Sequence, residues 1–408
     1  NGAFAAWTFA GLETPFFTAL VALAAYFHIF EDRDPGRFPW SGPVLAAAAL
    51  TRPEGLMFFA IGGAFKALRW WTAGRQSGHL LMLAWWVGLF ATPYVIYFAW
   101  HYSYYGHPWP NSYYAKVGSG WDQYERGLHY VANFGERYAG LLVAFLPVAV
   151  LAWTHRQRET LYMLTALLCW TGYVVYIGGD TLVMFRMMVP ATPFFYVLSG
   201  AGLVWMFDLL RRRVDTALVV VATALVVIVM TTSSLRVAST QGGFLQERVG
   251  ADERIRAGRW LKNNVPADWT VALTAAGAIP YESELRAVDM LGLNDRHIAH
   301  LDNVDLGSGP AGHEKYDSAY VVVERQPELI LLVHPWSRRT WCSPLDYQLA
   351  RSDFIPEIVD LVEFPATFFD YKAYSVEVAD ERYLNVLLRM DIPEIPGAPN
   401  ACTQQAAG

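Results

Sequence analysis

Leu50-Thr51-Arg52-Pro53-Glu54-Gly55 is the stretch whose reading decides the fold. It separates two apolar runs, 41–50 and 55–65. Neither reaches the roughly 20 residues that an α-helix needs to cross a bilayer. Pro and Gly both break helices, so the stretch reads as the tip of a helical hairpin. The alternative is one kinked helix through 41–65 with a buried Arg52–Glu54 pair. Further apolar runs fall near 14–30, 79–100, 138–153, 159–177, 189–209 and 215–232. With the hairpin, one side of the membrane receives Arg33, Arg37, Lys66, Arg69, Arg75, Arg156, Arg158 and Arg211 to Arg213. The other receives Arg52, Lys116, Arg126, Arg137 and Arg186. Basic residues collect on the cytoplasmic side, which favours the hairpin and places its tip outside, with the 101–137 and 178–188 loops.

The chain has 408 residues, of which 54% are hydrophobic and only 17% charged. A soluble domain carries about 25% charged residues. The apolar excess lies almost wholly before residue 235. The expected organisation is a polytopic α-helical membrane domain over 1–240, a small extracytoplasmic α/β domain over 241–390, and a loose tail rich in Pro, Ala and Gln over 391–408. Within the second domain, 251–263 reads as an amphipathic helix, and 270–274, 287–290 and 327–333 read as strands. A net charge of −6 without a basic stripe argues against a nucleic-acid partner. The sequence opens on Asn1 in the middle of a pattern and is read as a fragment lacking its N-terminus. Of three cysteines, Cys169 lies in an apolar run, whereas Cys342 and Cys402 fall in the outer domain. There a disulfide between them is permitted, and two separate thiols are the alternative.

Polar and charged residues close to lipid are costly and are usually kept for function. Glu13, before the first apolar run, could orient a sugar or a metal, or simply favour a helix start. Arg52 suits a lipid phosphate, which a guanidinium grips with two hydrogen bonds, and an ion pair with Glu54 is compatible with that role. Asn111 and Lys116 lie in a Pro-stiffened loop, 104–116, that suits a phosphate or pyrophosphate. Its many tyrosines are otherwise ordinary interface aromatics, and His107 is either a proton carrier or a solvated loop residue. Asp180 follows two glycines and precedes Arg186 by six residues. The two could hold acceptor hydroxyls and donor phosphate, or close the loop as a salt bridge, and Asp180 could serve as a base. No cofactor is demanded. A divalent metal would have only Glu13, Glu54 and Asp180 to bind it, with no His/Cys cluster.

Taken in order, Gly11-Leu12-Glu13-Thr14, the Leu50–Gly55 turn, Pro110-Asn111-Ser112-Tyr113-Tyr114-Ala115-Lys116, Gly179-Asp180 and Asp289-Met290-Leu291-Gly292-Leu293-Asn294-Asp295 form a pattern. With it the chain resembles the bacterial GT-C polytopic membrane glycosyltransferases, most nearly the terminal arabinofuranosyltransferases of the mycobacterial cell wall. The likeness spans about residues 1–390. It implies transfer of a sugar, arabinofuranose in the nearest group, from a polyprenyl-phosphate donor to a cell-envelope glycan acceptor. The reaction would lie on the outer face of the plasma membrane. The same resemblance puts the catalytic Asp in a first outer loop upstream of Asn1, leaving Glu13, Arg52, Glu54, Asn111, Lys116, Asp180 and Arg186 as substrate-binding residues. It also gives the outer domain a part in holding the glycan, with Trp336, Trp341 and Tyr347 as candidate stacking surfaces or core residues. A non-catalytic or transport protein for lipid-linked sugars is the competing reading.

Overall fold

The computed structural model describes residues 2–34, 36–74, 77–118, 120–138, 145, 148, 157–240, 243–302, 306–332, 336–343, 346, 370–379 and 382–406. Most of the apolar run 138–153, and Tyr347, therefore lie outside the described residues. The chain divides into two compact units, 1–108 with 124–242, and 109–123 with 243–408.

The first unit is helical. Its helices are α1 (Gly2–Thr8), α2 (Thr14–Arg33), α3 (Ser41–Thr51), α4 (Gly55–Thr72) and α5 (Ser77–Tyr105). In the second unit α6 (Asn111–Lys116) follows, and α7 (Trp121–Arg137) returns the chain to the first. Then come α8 (Arg158–Tyr176), a 3-10 turn over Arg186–Ala191, α9 (Thr192–Leu210) and α10 (Thr216–Thr240). Pro15 and Pro193 sit in the first turns of α2 and α9, where a missing N–H costs nothing.

Among the described residues, four stretches are long and apolar enough to cross a membrane: Thr14–Arg33, Gly78–Tyr105, Arg186–Leu210 and Thr216–Ser233. Leu81, Trp85 and Ile96 on α5, and Leu218, Val221 and Leu225 on α10, are exposed in the chain itself. Apolar surface of that extent is stable only against lipid or another apolar partner. The protein is accordingly a membrane protein. The hairpin reading of 41–65 matches what forms: α3 stops at Thr51, residues 52–54 turn, and α4 begins at Gly55. Gly55 has no substitute, since a Cβ there would lie 2.4 Å from the Ala49 backbone nitrogen. Below the turn an aromatic core joins four helices. Phe17 of α2 and Phe58 of α4 lie 5.8 and 5.7 Å from the Trp170 ring of α8, and Phe58 stacks on Phe194 of α9 at 6.1 Å.

The second unit is a small mixed α/β domain, as the alternation of elements predicted. It opens on α11 (Gly243–Asn264), followed by β1 (Thr270–Leu273), α12 (Ala278–Ser283), β2 (Arg286–Asp289) and α13 (Arg296–Ala299). Strands β3 (Leu329–Leu331), β4 (Trp336–Ser337), β5 (Tyr371–Ala379) and β6 (Arg382–Arg389) and helix α14 (Ala401–Ala406) complete it. The sheet runs β2-β1-β3-β6-β4, with β5 also on β6. β1 pairs parallel with β2 and β3, and β6 pairs antiparallel with β3, β4 and β5. Strand alternation buries both faces. Val271 and Leu273 pack with Ala257 and Leu261 of α11, whereas Ala272 packs with Val288 and Ile298 on the other side.

The final segment is not loose, contrary to the compositional reading. Ile395 and Ala398 are 3% and 5% exposed and belong to the core. The Tyr374 hydroxyl donates to the Ala398 carbonyl at 2.7 Å and accepts from the Ile395 N–H at 3.2 Å. The Asn400 amide oxygen accepts from the Ser375 N–H at 3.1 Å. A few well-placed apolar residues between prolines anchor this stretch without regular structure, and a composition count misses that. Cys342 and Cys402 are joined in a disulfide with Cα atoms 5.3 Å apart, which fixes α14.

Candidate functional site

The hairpin turn, the start of α2, the end of α8 and the loop before α9 meet in one polar cluster of the first unit. Arg52 is its centre. Its Nη2 donates to Glu54 Oε1 at 2.7 Å and its Nε to Glu54 Oε2 at 3.2 Å, a two-pronged pair. Its Nη1 donates to Glu13 Oε1 at 3.2 Å. The guanidinium lies over the Phe17 ring, 5.6 Å from its centre. Arg52 and Glu54 side chains are each 11% exposed, but Glu13 is 40% exposed. The Tyr173 hydroxyl donates to Glu54 Oε1 at 2.9 Å. Both prongs of the Arg52 fork thus go to carboxylates, and a phosphate would have to share or displace the exposed one, Glu13.

The loop between α8 and α9 contributes a second ion pair. Arg186 Nε donates to Asp180 Oδ2 at 2.7 Å, with Asp180 3% and Arg186 14% exposed. Gly178 and Gly179 both take φ of 76°, and a Cβ at Gly179 would lie 2.7 Å from the Tyr130 ring. Two further residues, Met184 and Phe185, hold φ of 62° and 50°. Non-glycine residues pay about 1–3 kcal/mol each for such conformations, and these cluster at functional sites. The strain is held in place by Trp7, whose indole N–H donates to the Met184 carbonyl at 3.2 Å. The Arg186 guanidinium in turn sits 5.8 Å from the Trp7 ring centre.

Met187 links the two pairs. Its sulfur is 3.7 Å from Arg52 Nη2, its N–H donates to the Tyr130 hydroxyl at 3.3 Å, and its carbonyl accepts from the Trp170 indole at 2.6 Å. Burial, with the Asp180 charge beside it, pushes the Tyr130 phenol above its ordinary range and keeps it neutral. Tyr130 is on α7, which is fastened to the same loop by a hydrogen bond from Arg126 Nε to the Gly178 carbonyl at 3.0 Å.

Of the residues singled out from sequence, Glu13, Arg52, Glu54, Asp180 and Arg186 are brought together. Asn111 and Lys116 belong to the second unit. There Ala115 is buried, Tyr114 packs on His300 at 4.2 Å between ring centres, and the Lys116 stem runs under Gly312. A Cβ on Gly312 would lie 2.7 Å from Lys116 Cε. Sequence reasoning passed over Tyr173, Tyr130, Met187 and Trp7. Tyr173 alone left a signal, since a hydroxyl in an apolar helix needs a partner. Among the described residues no group of three or more His, Cys, Asp or Glu side chains is gathered to hold a metal ion. Each of the three carboxylates considered for one, Glu13, Glu54 and Asp180, pairs instead with an arginine.

In the second unit the Asp289–Asp295 stretch forms a turn. The Asp289 carboxylate accepts from the Leu291 N–H at 3.1 Å and from the Asn294 N–H and side-chain amide at 2.8 and 3.2 Å. Asp295 caps α13 by accepting from the Ile298 N–H at 3.2 Å. Burial pushes the Asp289 carboxyl above its ordinary range, against the hydrogen bonds from Asn294 and Leu291. The residue types of this motif are explained by turn geometry. Trp336 packs on the core and donates to the Glu253 carbonyl at 2.8 Å, and the Trp341 N–H donates to Ser375 Oγ and Asn385 Oδ1 at 3.0 Å.

A family model described as "Domain of unknown function (DUF8728)" matches residues 244–382, which is less than half of the chain and lies within the second unit. No curated protein and no solved structure matches the chain.

Proposed function

We propose that this chain belongs to a membrane glycosyltransferase that moves a sugar, arabinofuranose on the resemblance, from a polyprenyl-phosphate donor to a cell-envelope glycan. The observation that carries the reading is the Glu13–Arg52–Glu54 cluster, joined through Met187 to the Asp180–Arg186 pair. Two guanidinium groups sit at the ends of apolar helices, where a lipid phosphate would arrive. Glu54, itself held by Tyr173, and Asp180 fix the two guanidinium groups, and a phosphate at Arg52 would share or take the place of the exposed Glu13 carboxylate. Asp180 is engaged by Arg186 and is read as a positioning residue that orients it, while no residue of the cluster is assigned the role of base. Polyprenyl phosphate is a serviceable leaving group, which leaves orientation and charge stabilisation as the tasks of these side chains.

The test is transfer itself. The protein carrying this chain, purified in detergent, is given radiolabelled polyprenyl-phosphate-arabinose and a short arabinan. Label in a lengthened oligosaccharide, lost in Arg186→Gln, supports the enzyme. Donor bound without transfer to any sugar acceptor favours the non-catalytic or transport reading. Neither binding nor transfer refutes both.

A further inference from the structure

The far end of α2 carries a second constellation that the proposed transfer does not use. α2 has 20 residues, so its ends lie about 30 Å apart. Glu13 precedes one end, and at the other Tyr26, Phe27 and Phe30 face Phe38 and Trp40 across a cleft of about 320 Å³. Their ring centres lie 4.5–6.5 Å apart in a series, with Tyr26 5.6 Å from Phe27. Tyr26 lies 4.5 Å from Phe30, Phe27 lies 6.5 Å from Trp40, and Phe38 lies 4.8 Å from Trp40. Tyr26, Phe38 and Trp40 remain half-exposed.

One cation, Arg37, lines this cleft, and a second, Arg33, lies near the ring of Phe30, which also lines it. Arg33 and Arg37 place their guanidinium carbons 5.8 and 5.7 Å from the centre of Phe30. Each has a carboxylate neighbour, Glu159 at 3.1 Å and Asp34 at 3.2 Å. Both arginines are more than half exposed, and pairs of that kind are weak and exchangeable. Glu31 also borders the cleft, but its charge is met by Lys66 at 2.8 Å, and its oxygens accept from the Ser41 N–H and hydroxyl at 2.7 and 2.6 Å. The mouth therefore offers exchangeable positive charge, and the cleft behind it offers an aromatic wall.

We propose that this cleft binds one anionic phospholipid of the bilayer, with its phosphate between Arg33 and Arg37 and an acyl chain along Tyr26, Phe27, Phe38 and Trp40. Charge complementarity selects the headgroup. A guanidinium meets phosphate with two parallel hydrogen bonds, which a zwitterionic lipid's choline would screen. Aromatic rings alone would be ordinary interface residues. Two guanidinium groups within 5.8 Å of one ring centre, one of them lining an open cleft, are what an interface belt does not explain. The site is independent of the transfer reading, since the polyprenyl phosphate is assigned to the opposite end of α2.

The experiment is native mass spectrometry of the full chain, purified in detergent and titrated with phosphatidylglycerol or phosphatidylcholine of identical acyl chains. The wild type should retain one phosphatidylglycerol in clear preference to phosphatidylcholine. At about fivefold for each basic residue at a membrane surface, Arg37→Gln should weaken phosphatidylglycerol about fivefold and Arg33→Gln/Arg37→Gln roughly 25-fold. Trp40→Ala should weaken both lipids while leaving the headgroup preference. Arg33→Lys/Arg37→Lys, which keeps the charge, should retain most of the preference and the wild-type melting temperature. If the double glutamine variant fails to fold, Arg37→Gln decides alone, because its pair with Asp34 is at the surface. Equal retention of the two lipids by the wild type overturns the proposal, as does an unchanged preference in Arg37→Gln. Displacement of phosphatidylglycerol by polyprenyl phosphate at equimolar concentration overturns it too, by making the cleft a carrier-lipid site.

Discussion

Replacing Arg52 by alanine should be among the most damaging changes in the first unit, and a second substitution should partly repair it. Arg52 and Glu54 are each only 11% exposed and are joined through two nitrogens and two oxygens. Removing one partner of a buried pair costs about 3–5 kcal/mol, because a charge is left without compensation. The remaining exposure puts Arg52→Ala near the lower figure, about 3 kcal/mol. Glu13 adds under about 1 kcal/mol, since it is 40% exposed and screened. Adding Glu54→Gln to Arg52→Ala removes the orphaned charge and leaves an amide oxygen to which Tyr173 can still donate. About 2 kcal/mol should return. The assay is a double-mutant cycle read by unfolding in mixed micelles with increasing dodecyl sulfate. A loss below about 1 kcal/mol in Arg52→Ala would refute the reasoning. So would a double variant no more stable than Arg52→Ala, because the cost would then not arise from the stranded carboxylate.

Gly55→Ala should open the hairpin, because the new Cβ would meet backbone of Ala49 at 2.4 Å and no side chain can yield there. The expected cost is about 3 kcal/mol or more, with a matching fall in the melting temperature of the full chain; a change within about 0.5 kcal/mol would contradict the close packing. Cys402→Ser opens a loop of 60 residues and should cost the second unit about 4 kcal/mol, seen as earlier unfolding that reductant reproduces in the wild type but not in the variant. Asp289 gives a pH signature. Its carboxyl titrates above the unfolded value, so its burial penalty is complete at neutral pH and is relieved as pH falls through the folded value toward about 3.9. Mild acidification should therefore stabilise the wild type relative to Asp289→Asn in paired melting curves, and a difference of the opposite sign would show that the ionised form is the favoured one.

The helical hairpin was legible because its runs are too short to span and its tip holds Pro53 and Gly55 beside a charged pair. Half of the sheet was legible for the same kind of reason. Short apolar runs at 270–274, 287–290 and 327–333 alternate with helical stretches, and β1, β2 and β3 form at them, whereas β4, β5 and β6 have no counterpart among those expectations. Long-range partners were not legible. Nothing local says that Trp7 will hold the Met184 carbonyl 177 residues away, or that Tyr173 will reach Glu54 across 119. Nor does anything local say that the Lys116 stem runs under Gly312, 196 positions away within the second unit. The end of the chain misled because composition weighs its Pro, Ala and Gln, whereas Ile395, Ala398 and the disulfide at Cys402 decide its order.

The measurement that bears most directly on the site is equilibrium binding of radiolabelled polyprenyl phosphate to the protein in detergent, comparing wild type with Arg186→Gln. Arg186 donates to Asp180 at 2.7 Å and lies beside Trp7, so its loss removes one cation from the cluster while Arg52 and its carboxylates stay in place. A charge-assisted phosphate contact is worth about 1.5–3 kcal/mol, so binding should weaken roughly 10- to 150-fold, with the melting temperature checked in parallel. Unchanged binding by a folded Arg186→Gln protein would mean that the Asp180–Arg186 pair only closes its loop, and that the cluster is not where a lipid phosphate is held.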